Sequence, residues 1–237
     1  MAFVIRGTLV IAMFVATLSA TRSADCAPSE PFGNRTVELA YGPLLEKWFA
    51  TVNKLGRDHA LFGACIDSNV SECAAVQRLG IIIEDAKSQN GLAVLGHINR
   101  AINFEIKPVA RSDWLSPIEA INSGGDCKAY AISKYFALLE AGVAADHLRL
   151  VIVRARGQSG NHMVLAVLWQ DHWFILDNLT LMLVPDTVSE YVPLVVLDDS
   201  GVRGYVATPL PKAASSSAAQ TMRSTGFNAE GLPSRAP

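Results

Sequence analysis

Positive charge is nowhere concentrated in this chain. Its 237 residues include 20 lysines and arginines against 22 aspartates and glutamates, and no basic run is long enough to compete for phosphate groups. Residues 1–24 contain two arginines and no acid, so the remainder has 20 − 2 = 18 basic and 22 acidic side chains, a formal charge of −4. This balance argues against a nucleic-acid partner and against an anionic membrane surface.

A long apolar run is also missing from the start of the chain. Residues 8–19 are apolar, but 12 residues are too few to cross a hydrocarbon core of about 30 Å as a helix. A short apolar run after Arg6 is typical of a signal peptide. We therefore predict a signal peptide at residues 1–24 and a periplasmic location for the rest. The alternatives are an uncleaved membrane anchor and a lipid on Cys26, where Asp25 replaces the expected small residue.

Cysteine is scarce, with four residues, and the zinc motifs HExxH and CxxC are absent. Cys65 and Cys73 are separated by seven residues. In an oxidising compartment they could form a short disulfide; the alternative is two free, partly buried thiols. Cys26 falls near the start of the predicted mature chain, and Cys127 has no obvious partner.

Half of the residues are hydrophobic, which is enough for one sizeable core, and we expect one domain at residues 25–211. Its first residues, 25–36, are Pro/Ser-rich and predicted to be irregular, and a small, polar segment at 212–237 predicts a disordered tail. Apolar residues at helical spacing predict helices, and alternation predicts strands. The predicted helices are 37–55, 74–87, 91–102 and 126–141, and the predicted strands are 148–156, 162–169, 172–178 and a short one within 179–184.

Cys127 follows Gly124, Gly125 and Asp126 at the start of a predicted helix. Two glycines permit the tight turn that such a loop needs, and Asp126 can cap the first turn. Free N–H groups and the helix dipole at this position favour a thiolate. A thiolate there can attack a carbonyl carbon, while the same N–H groups hold the oxyanion. Taken alone, the residue could equally be a small buried cysteine.

His162 and Asp177 supply the groups that such a thiol requires. His162 begins one predicted strand and Asp177 ends the next. If Gln170 and Asp171 form a two-residue hairpin loop, paired positions sum to 341 and Asp177 lies opposite Val164. His162 and Asp177 are then diagonal neighbours on one face, about 5–8 Å apart at Cβ. A loop longer by one residue would place them on opposite faces.

Three segments together carry a family resemblance: SDWLSPIEAINSGGDCKAYAISKYFALLEAGVAADHLRLVIVRA, NHMVLAVL and WFILDN. They resemble the bacterial transglutaminase-like cysteine proteinase family, which includes the LapG-type periplasmic proteases. The likeness extends from about Trp48 to Tyr191.

The resemblance implies an α+β fold of the papain/transglutaminase type. N-terminal helices would carry the catalytic Cys127 at a helix N-terminus, packed on an antiparallel sheet that carries His162 and Asp177. The resemblance also implies a protein substrate. In the LapG branch this is a large surface adhesin whose release disperses a biofilm, and an inner-membrane receptor regulates the protease.

The residues beside the cysteine depart from that branch. LapG-type members usually read GDCED, and these acids help to bind calcium. Here Asp126 matches, but Lys128 and Ala129 replace two carboxylates. Calcium at Asp126 is thus the one metal site that the resemblance suggests, and we expect the protein to work without a cofactor.

The leading hypothesis is a periplasmic cysteine endopeptidase. Acyl transfer to an amine is the first alternative, because it shares the formation of a thioester with hydrolysis. The second is a catalytically silent binding module that retains the fold.

Overall fold

A computed structural model of the chain describes residues 30–65, 70–155 and 160–206. The predicted signal peptide at 1–24, Cys26 and the predicted tail at 212–237 lie outside these residues, as do both ends of the predicted domain.

Five α-helices lie in the first two-thirds of the described chain. They are α1 (Pro43–Cys65), α2 (Ala74–Lys87), α3 (Leu92–Glu105), α4 (Pro117–Ser123) and α5 (Cys127–Glu140). None of the helices within the described ranges is long and apolar enough to cross a membrane. The expected positions of α2, α3 and α5 agree with these bounds within three residues.

The start predicted for the first helix is wrong. Residues 37–55 were expected to be helical, but Thr36–Glu38 form a short strand and the helix begins at Pro43. Proline is favoured in a first helical turn because its missing N–H would have no partner there. The helix then continues to Cys65, because the buried stripe of Trp48, Thr51 and Leu55 extends to Asp58.

Seven strands form one antiparallel sheet in the order β1-β7-β6-β2-β3-β4-β5. The strands are β1 (Thr36–Glu38), β2 (Leu148–Ala155), β3 (His162–Trp169), β4 (His172–Leu176), β5 (Val184–Pro185), β6 (Tyr191–Asp198) and β7 (Gly201–Tyr205). The short strand expected within 179–184 is displaced towards the C-terminus, because β5 begins only at Val184 and ends at Pro185. Helices packed on an antiparallel sheet give the α+β class.

The β3–β4 hairpin has the predicted register. Trp169 pairs with His172 and Leu165 pairs with Leu176, so paired numbers sum to 341. Gln170 and Asp171 have φ values of 48° and 64°, as the tight two-residue turn of type I′ requires. This register places His162 and Asp177 on the same face of the hairpin.

Hydrophobic residues are buried on both faces of the sheet. One face packs against the helices through residues such as Leu150 and Leu165, and the other carries Val151, Val164 and Trp173. The second face is covered because the sheet curls until its two ends touch: the N–H of Phe32, just before β1, donates to Asp186, just after β5, at 2.6 Å. The inside of this curl forms a second, smaller core.

A disulfide joins Cys65 at the end of α1 to Cys73, which directly precedes α2. The predicted pairing of these two cysteines is confirmed. Cys127 is the free thiol of the described residues.

Candidate active site

The turn between α4 and α5 requires both of its glycines. Gly124 has a φ of +73°, and an added Cβ there would lie 2.7 Å from the carbonyl oxygen of Lys107. At Gly125 an added Cβ would lie 2.2 Å from Cβ of Ala129, in the first turn of α5. Gly125 also exchanges backbone hydrogen bonds with the neighbouring chain: its N–H donates to Lys107 and its oxygen accepts from Val109, both at 2.9 Å. The glycines therefore fix where α5 begins.

Cys127 is the first residue of α5. The carboxylate of Asp126 caps the helix by accepting from the N–H of Lys128 at 3.1 Å. The thiol is half-buried. It lies at the positive end of the helix dipole, where N–H groups of the first turn have no acceptor within the helix.

His162 bridges the thiol and Asp177. Its Nε2 lies 2.7 Å from Oδ1 of Asp177, and its side chain also hydrogen-bonds the sulfur of Cys127. Because Nε2 is engaged by the carboxylate, Nδ1 is the nitrogen left for the sulfur. The backbone N–H of Met163 donates to the same sulfur. The structure thus brings the three candidate residues together in the order thiol, imidazole, carboxylate.

Asp177 is 4% exposed, and its carboxylate accepts hydrogen bonds from three groups. Besides His162, the hydroxyl of Tyr191 donates to Oδ2 at 2.5 Å and the N–H of Leu179 donates to Oδ1 at 3.1 Å. A buried carboxylate is stable only with such partners. Burial opposes its ionisation, but the hydrogen bonds from His162 and Tyr191 outweigh this and keep the pKa of Asp177 below its ordinary value.

The pKa shifts of Cys127 and His162 favour the charged form of each group, the thiolate and the imidazolium. Burial disfavours the thiolate, yet the hydrogen bond and charge of His162 leave the pKa of Cys127 lowered. Burial likewise disfavours the imidazolium, yet the hydrogen bonds to Asp177 and Cys127 raise the pKa of His162 to about 9. Both shifts favour a thiolate–imidazolium pair over a neutral thiol and imidazole.

His162 and Asn161 line two open clefts. The first, which we call the thiol cleft, has a volume of about 270 Å³ and is lined by Leu44, Lys47, Trp114, Cys127, Lys128, Ile152, Asn161, His162 and Met163. The second, the histidine cleft, has a volume of about 440 Å³ and is lined by Ala155, Gly160, Asn161, His162, Leu179, Glu190 and Tyr191.

The residues beside Cys127 do not fit a calcium ion. The ammonium group of Lys128 forms an ion pair with Oδ2 of Asp126 and donates to the carbonyl oxygen of Arg111 at 3.2 Å. Calcium needs six to eight oxygen ligands, and here a cation of the protein already occupies the carboxylate. Among the described residues no group of three or more His, Cys, Asp or Glu is arranged to hold a metal.

Tyr191 is the member of this site that the sequence did not reveal. It begins β6, and besides binding Asp177 its ring lies 5.8 Å from that of His162, centre to centre. No motif or spacing marks it, since its position depends on pairing between β2 and β6, strands about 40 residues apart in the chain.

Sequence comparison agrees with this geometry. The model of the family described as "Bacterial transglutaminase-like cysteine proteinase BTLCP" matches residues 58–196, more than half of the chain. The chain belongs to this family. It is therefore a cysteine protease of the transglutaminase-like type, and its substrate is a protein. None of the curated proteins compared with the chain matches it.

Solved structures show the same fold. Legionella pneumophila LapG is similar with a TM-score of 0.52 and 24% identity, over 63% of this chain and 87% of that one. Its calcium-bound form gives a TM-score of 0.51 and 23% identity, over 68% and 91%. Its EGTA-treated form gives 0.52 and 24%, over 64% and 86%. The family resemblance and the fold expected from it are confirmed.

Proposed function

We propose that Cys127, His162 and Asp177 form a catalytic triad that hydrolyses peptide bonds in an exported protein. The observation that carries this proposal is the continuous hydrogen-bonded chain from the sulfur through His162 to the buried carboxylate of Asp177. It joins residues from a helix, a strand and the end of the next strand, and it opens onto a cleft.

In the first half of the reaction the thiolate of Cys127 attacks the carbonyl carbon of the scissile bond. The oxyanion that forms lies against the first turn of α5, where Asp126 binds the N–H of Lys128 and the N–H of Cys127 has no acceptor within the helix. The imidazolium of His162 gives its proton to the leaving nitrogen, the C–N bond breaks, and a thioester remains on Cys127. Asp177 keeps the ring in the orientation and tautomer that this transfer needs.

In the second half water attacks the thioester carbon. Neutral His162 takes a proton from the water as it adds, and then returns a proton to the sulfur as the C–S bond breaks. The net change is one peptide bond and one water converted to an acid and an amine.

The two clefts favour an extended segment of protein as the substrate. Both are lined by His162 and Asn161, and the thiol cleft has apolar walls from Trp114, Ile152 and Leu44. A surface protein, including an adhesin of the kind that LapG-type relatives process, would supply such a segment. An inner-membrane receptor would be the corresponding regulator.

Export is part of the proposal. A signal peptide at 1–24 would direct the domain at 25–211 to the periplasm, and the disulfide between Cys65 and Cys73 is supported best by an oxidising compartment. We further propose that the protein acts without calcium, because Lys128 neutralises Asp126.

The experiment combines labelling with proteolysis. Iodoacetamide should alkylate Cys127 rapidly at pH 6, and the His162→Ala variant should react at least about tenfold more slowly because it lacks the charged partner. His172→Ala is the matched control, since His172 is the exposed first residue of β4 in the same hairpin. Slow, equal labelling of Cys127 in the wild type and in His162→Ala would refute the triad.

The substrate is sought by comparing secreted proteins from cells that contain the wild type or Cys127→Ala. New protein termini that require Cys127 would identify the cleaved bond. Transfer of an added amine to those termini, instead of hydrolysis, would show an acyltransferase.

A further inference from the structure

Lys134 is an unusual residue in the interior of this protein. It is 0% exposed, in the middle of α5, and lysine is rarely buried so completely. Its Nζ has no hydrogen-bond partner among the described residues. Leaving an amine without a partner in the interior costs stability, so a position of this kind calls for a compensating role.

Lys134 belongs to the helix that begins with the thiol of the proposed triad. It is seven residues, two helical turns, after Cys127 and so on the same side of α5. Among the described residues, the charge that acts on Lys134 is that of Asp177. Burial lowers the pKa of the amine to about 7, and the carboxylate opposes this fall.

The loop that carries Asp177 is held from a second helix. The side-chain amide of Asn103 on α3 donates to the backbone oxygens of Asp177 at 2.9 Å and Thr180 at 3.2 Å. The amide of Asn99, one turn earlier, donates to Thr180 at 3.2 Å. Residues 177–180 are thus attached to α3 by three hydrogen bonds.

Buried polar atoms without a partner occur on both α3 and α5. The side-chain oxygens of Asn99 and Asn103 are buried and have no donor among the described residues, and Nζ of Lys134 has no acceptor. The two amides bind residues 177 and 180, and Lys134 is near enough to Asp177 for the charge of that carboxylate to act on it. The amine of Lys134 donates hydrogen bonds and the amide oxygens of Asn99 and Asn103 accept them. A buried water that bridged the amine and the oxygens would satisfy both.

We propose that Lys134 is a positioning residue, whose amine completes a buried polar network with Asn99 and Asn103 that fixes the 177–180 loop and so holds Asp177 against His162. This inference rests on the proposed triad, because its effect is exerted through Asp177.

When Lys134 is replaced, a positioning role and a direct electrostatic effect predict changes of opposite sign in the pKa of His162. A positive charge on Lys134 would by itself disfavour the imidazolium, so removing it without moving Asp177 would raise the pKa of His162. If Lys134 instead holds Asp177 in place, its removal lets the carboxylate move away and lowers that pKa. The titratable groups at this site that enter the comparison are Cys127, Lys134, His162, Asp177 and Tyr191. The two α3 side chains that hold the loop, Asn99 and Asn103, are neutral amides.

The test measures the pKa of His162 by NMR on histidine-labelled protein, with its resonance assigned from His162→Ala. In Lys134→Met, which keeps the length of the side chain and removes the amine, we expect the pKa to fall by about one pH unit or more. Alkylation of Cys127 at pH 6 should slow by about tenfold as the thiolate loses its partner. Ser133→Ala is the control, because Ser133 is an equally buried neighbour whose hydroxyl also lacks a partner; its His162 should titrate as in the wild type.

An unchanged or higher pKa of His162 in folded Lys134→Met overturns the proposal, as does an equal fall in Ser133→Ala. If Lys134→Met does not fold, Asn103→Ala decides, since it removes two of the bonds that hold the loop. The pKa of His162 must fall in this variant too. An unchanged pKa in Asn103→Ala overturns the proposal. The titration needs no substrate. Failure of the protease function would appear as absent cleavage by the wild type, independently of the pKa difference.

Discussion

Tyr191 and His162 bind opposite oxygens of the same carboxylate. The hydroxyl of Tyr191 donates to Oδ2 of Asp177 at 2.5 Å, while Oδ1 lies 2.7 Å from Nε2 of His162. With both oxygens engaged the carboxylate cannot rotate without breaking a bond. The tyrosine therefore sets the plane in which Asp177 meets the imidazole.

We expect Tyr191→Phe to lower activity while preserving the fold. The variant keeps the ring beside His162 and loses a hydrogen bond to a charged acceptor, a bond worth about 1.5–3 kcal/mol. Part of this should appear as a lower melting temperature, and kcat should fall by about tenfold as Asp177 becomes free to rotate. Measuring kcat and KM on a cleaved peptide tests this expectation. Tyr205→Phe is the control, because the buried hydroxyl of Tyr205 forms no hydrogen bond to His162 or Asp177. An unaltered kcat in Tyr191→Phe contradicts the role.

The pH profile should depend on Asp177. The pKa of Cys127 is lowered and that of His162 is raised to about 9, so both shifts favour the thiolate–imidazolium pair, which is lost as the pH rises through about 9 and the imidazolium loses its proton. In Asp177→Asn the imidazolium loses its anionic partner, so its pKa should fall towards the ordinary value of about 6.5. The alkaline limb of kcat/KM should move down accordingly, and activity at pH 8 should fall by about 30-fold, as the imidazolium fraction does when the pKa drops from about 9 to about 6.5. A limb that stays near pH 9 in Asp177→Asn would exclude Asp177 as the partner.

The sequence predicts the β3–β4 hairpin well because the information is local. Gln170 and Asp171 mark a two-residue turn, and the alternation on each side leaves one register that buries Val164 and Ile175. The turn before Cys127 is similarly local, since two glycines and a capping Asp126 lie in succession.

What the sequence does not predict depends on distant contacts. Pro193 argues against a strand, yet β6 lies inside the sheet, and Pro193 is placed where β2 and β6 shift register next to Val153. This irregularity tolerates a residue without an N–H. Tyr191 depends on that pairing, and its contact with Asp177 could not be anticipated. The buried amine of Lys134 is hidden for the same reason, because one helix alone does not show which residues cover it.

Calcium should affect neither stability nor activity. The ammonium group of Lys128 already neutralises Asp126, so we expect the same melting temperature and the same rate of Cys127 alkylation in calcium and in chelator. The double substitution Lys128→Glu with Ala129→Asp restores acids and should introduce a rise in melting temperature with calcium. Lys47→Glu is the control, because Lys47 lines the same cleft away from Asp126. A loss of wild-type activity on chelation would refute calcium independence.

The disulfide should contribute to stability without contributing to chemistry. Cys65 and Cys73 are eight positions apart, and closing a loop of this size stabilises by about 2–3 kcal/mol in the chain-entropy account. Replacing both with alanine should lower the free energy of unfolding by that amount, measured in urea. The rate of alkylation at Cys127 should be unchanged, since the bond joins α1 to the segment before α2. A slower reaction at Cys127 in the double variant would mean that the disulfide also shapes the site.

Gly125→Ala should damage the site through the backbone. The added methyl would lie 2.2 Å from Cβ of Ala129, closer than any packing allows, so the first turn of α5 must shift and carry Cys127 with it. Overpacking of this kind costs about 1–3 kcal/mol, and we expect a lower melting temperature together with slower alkylation of Cys127. Gly142→Ala is the matched control: no atom lies within 4 Å of its added Cβ, although its φ of +93° makes it strained. It should therefore lose stability while its Cys127 reacts at the wild-type rate. Equal loss of thiol reactivity in both variants would show that general destabilisation, and not the placement of α5, limits the site.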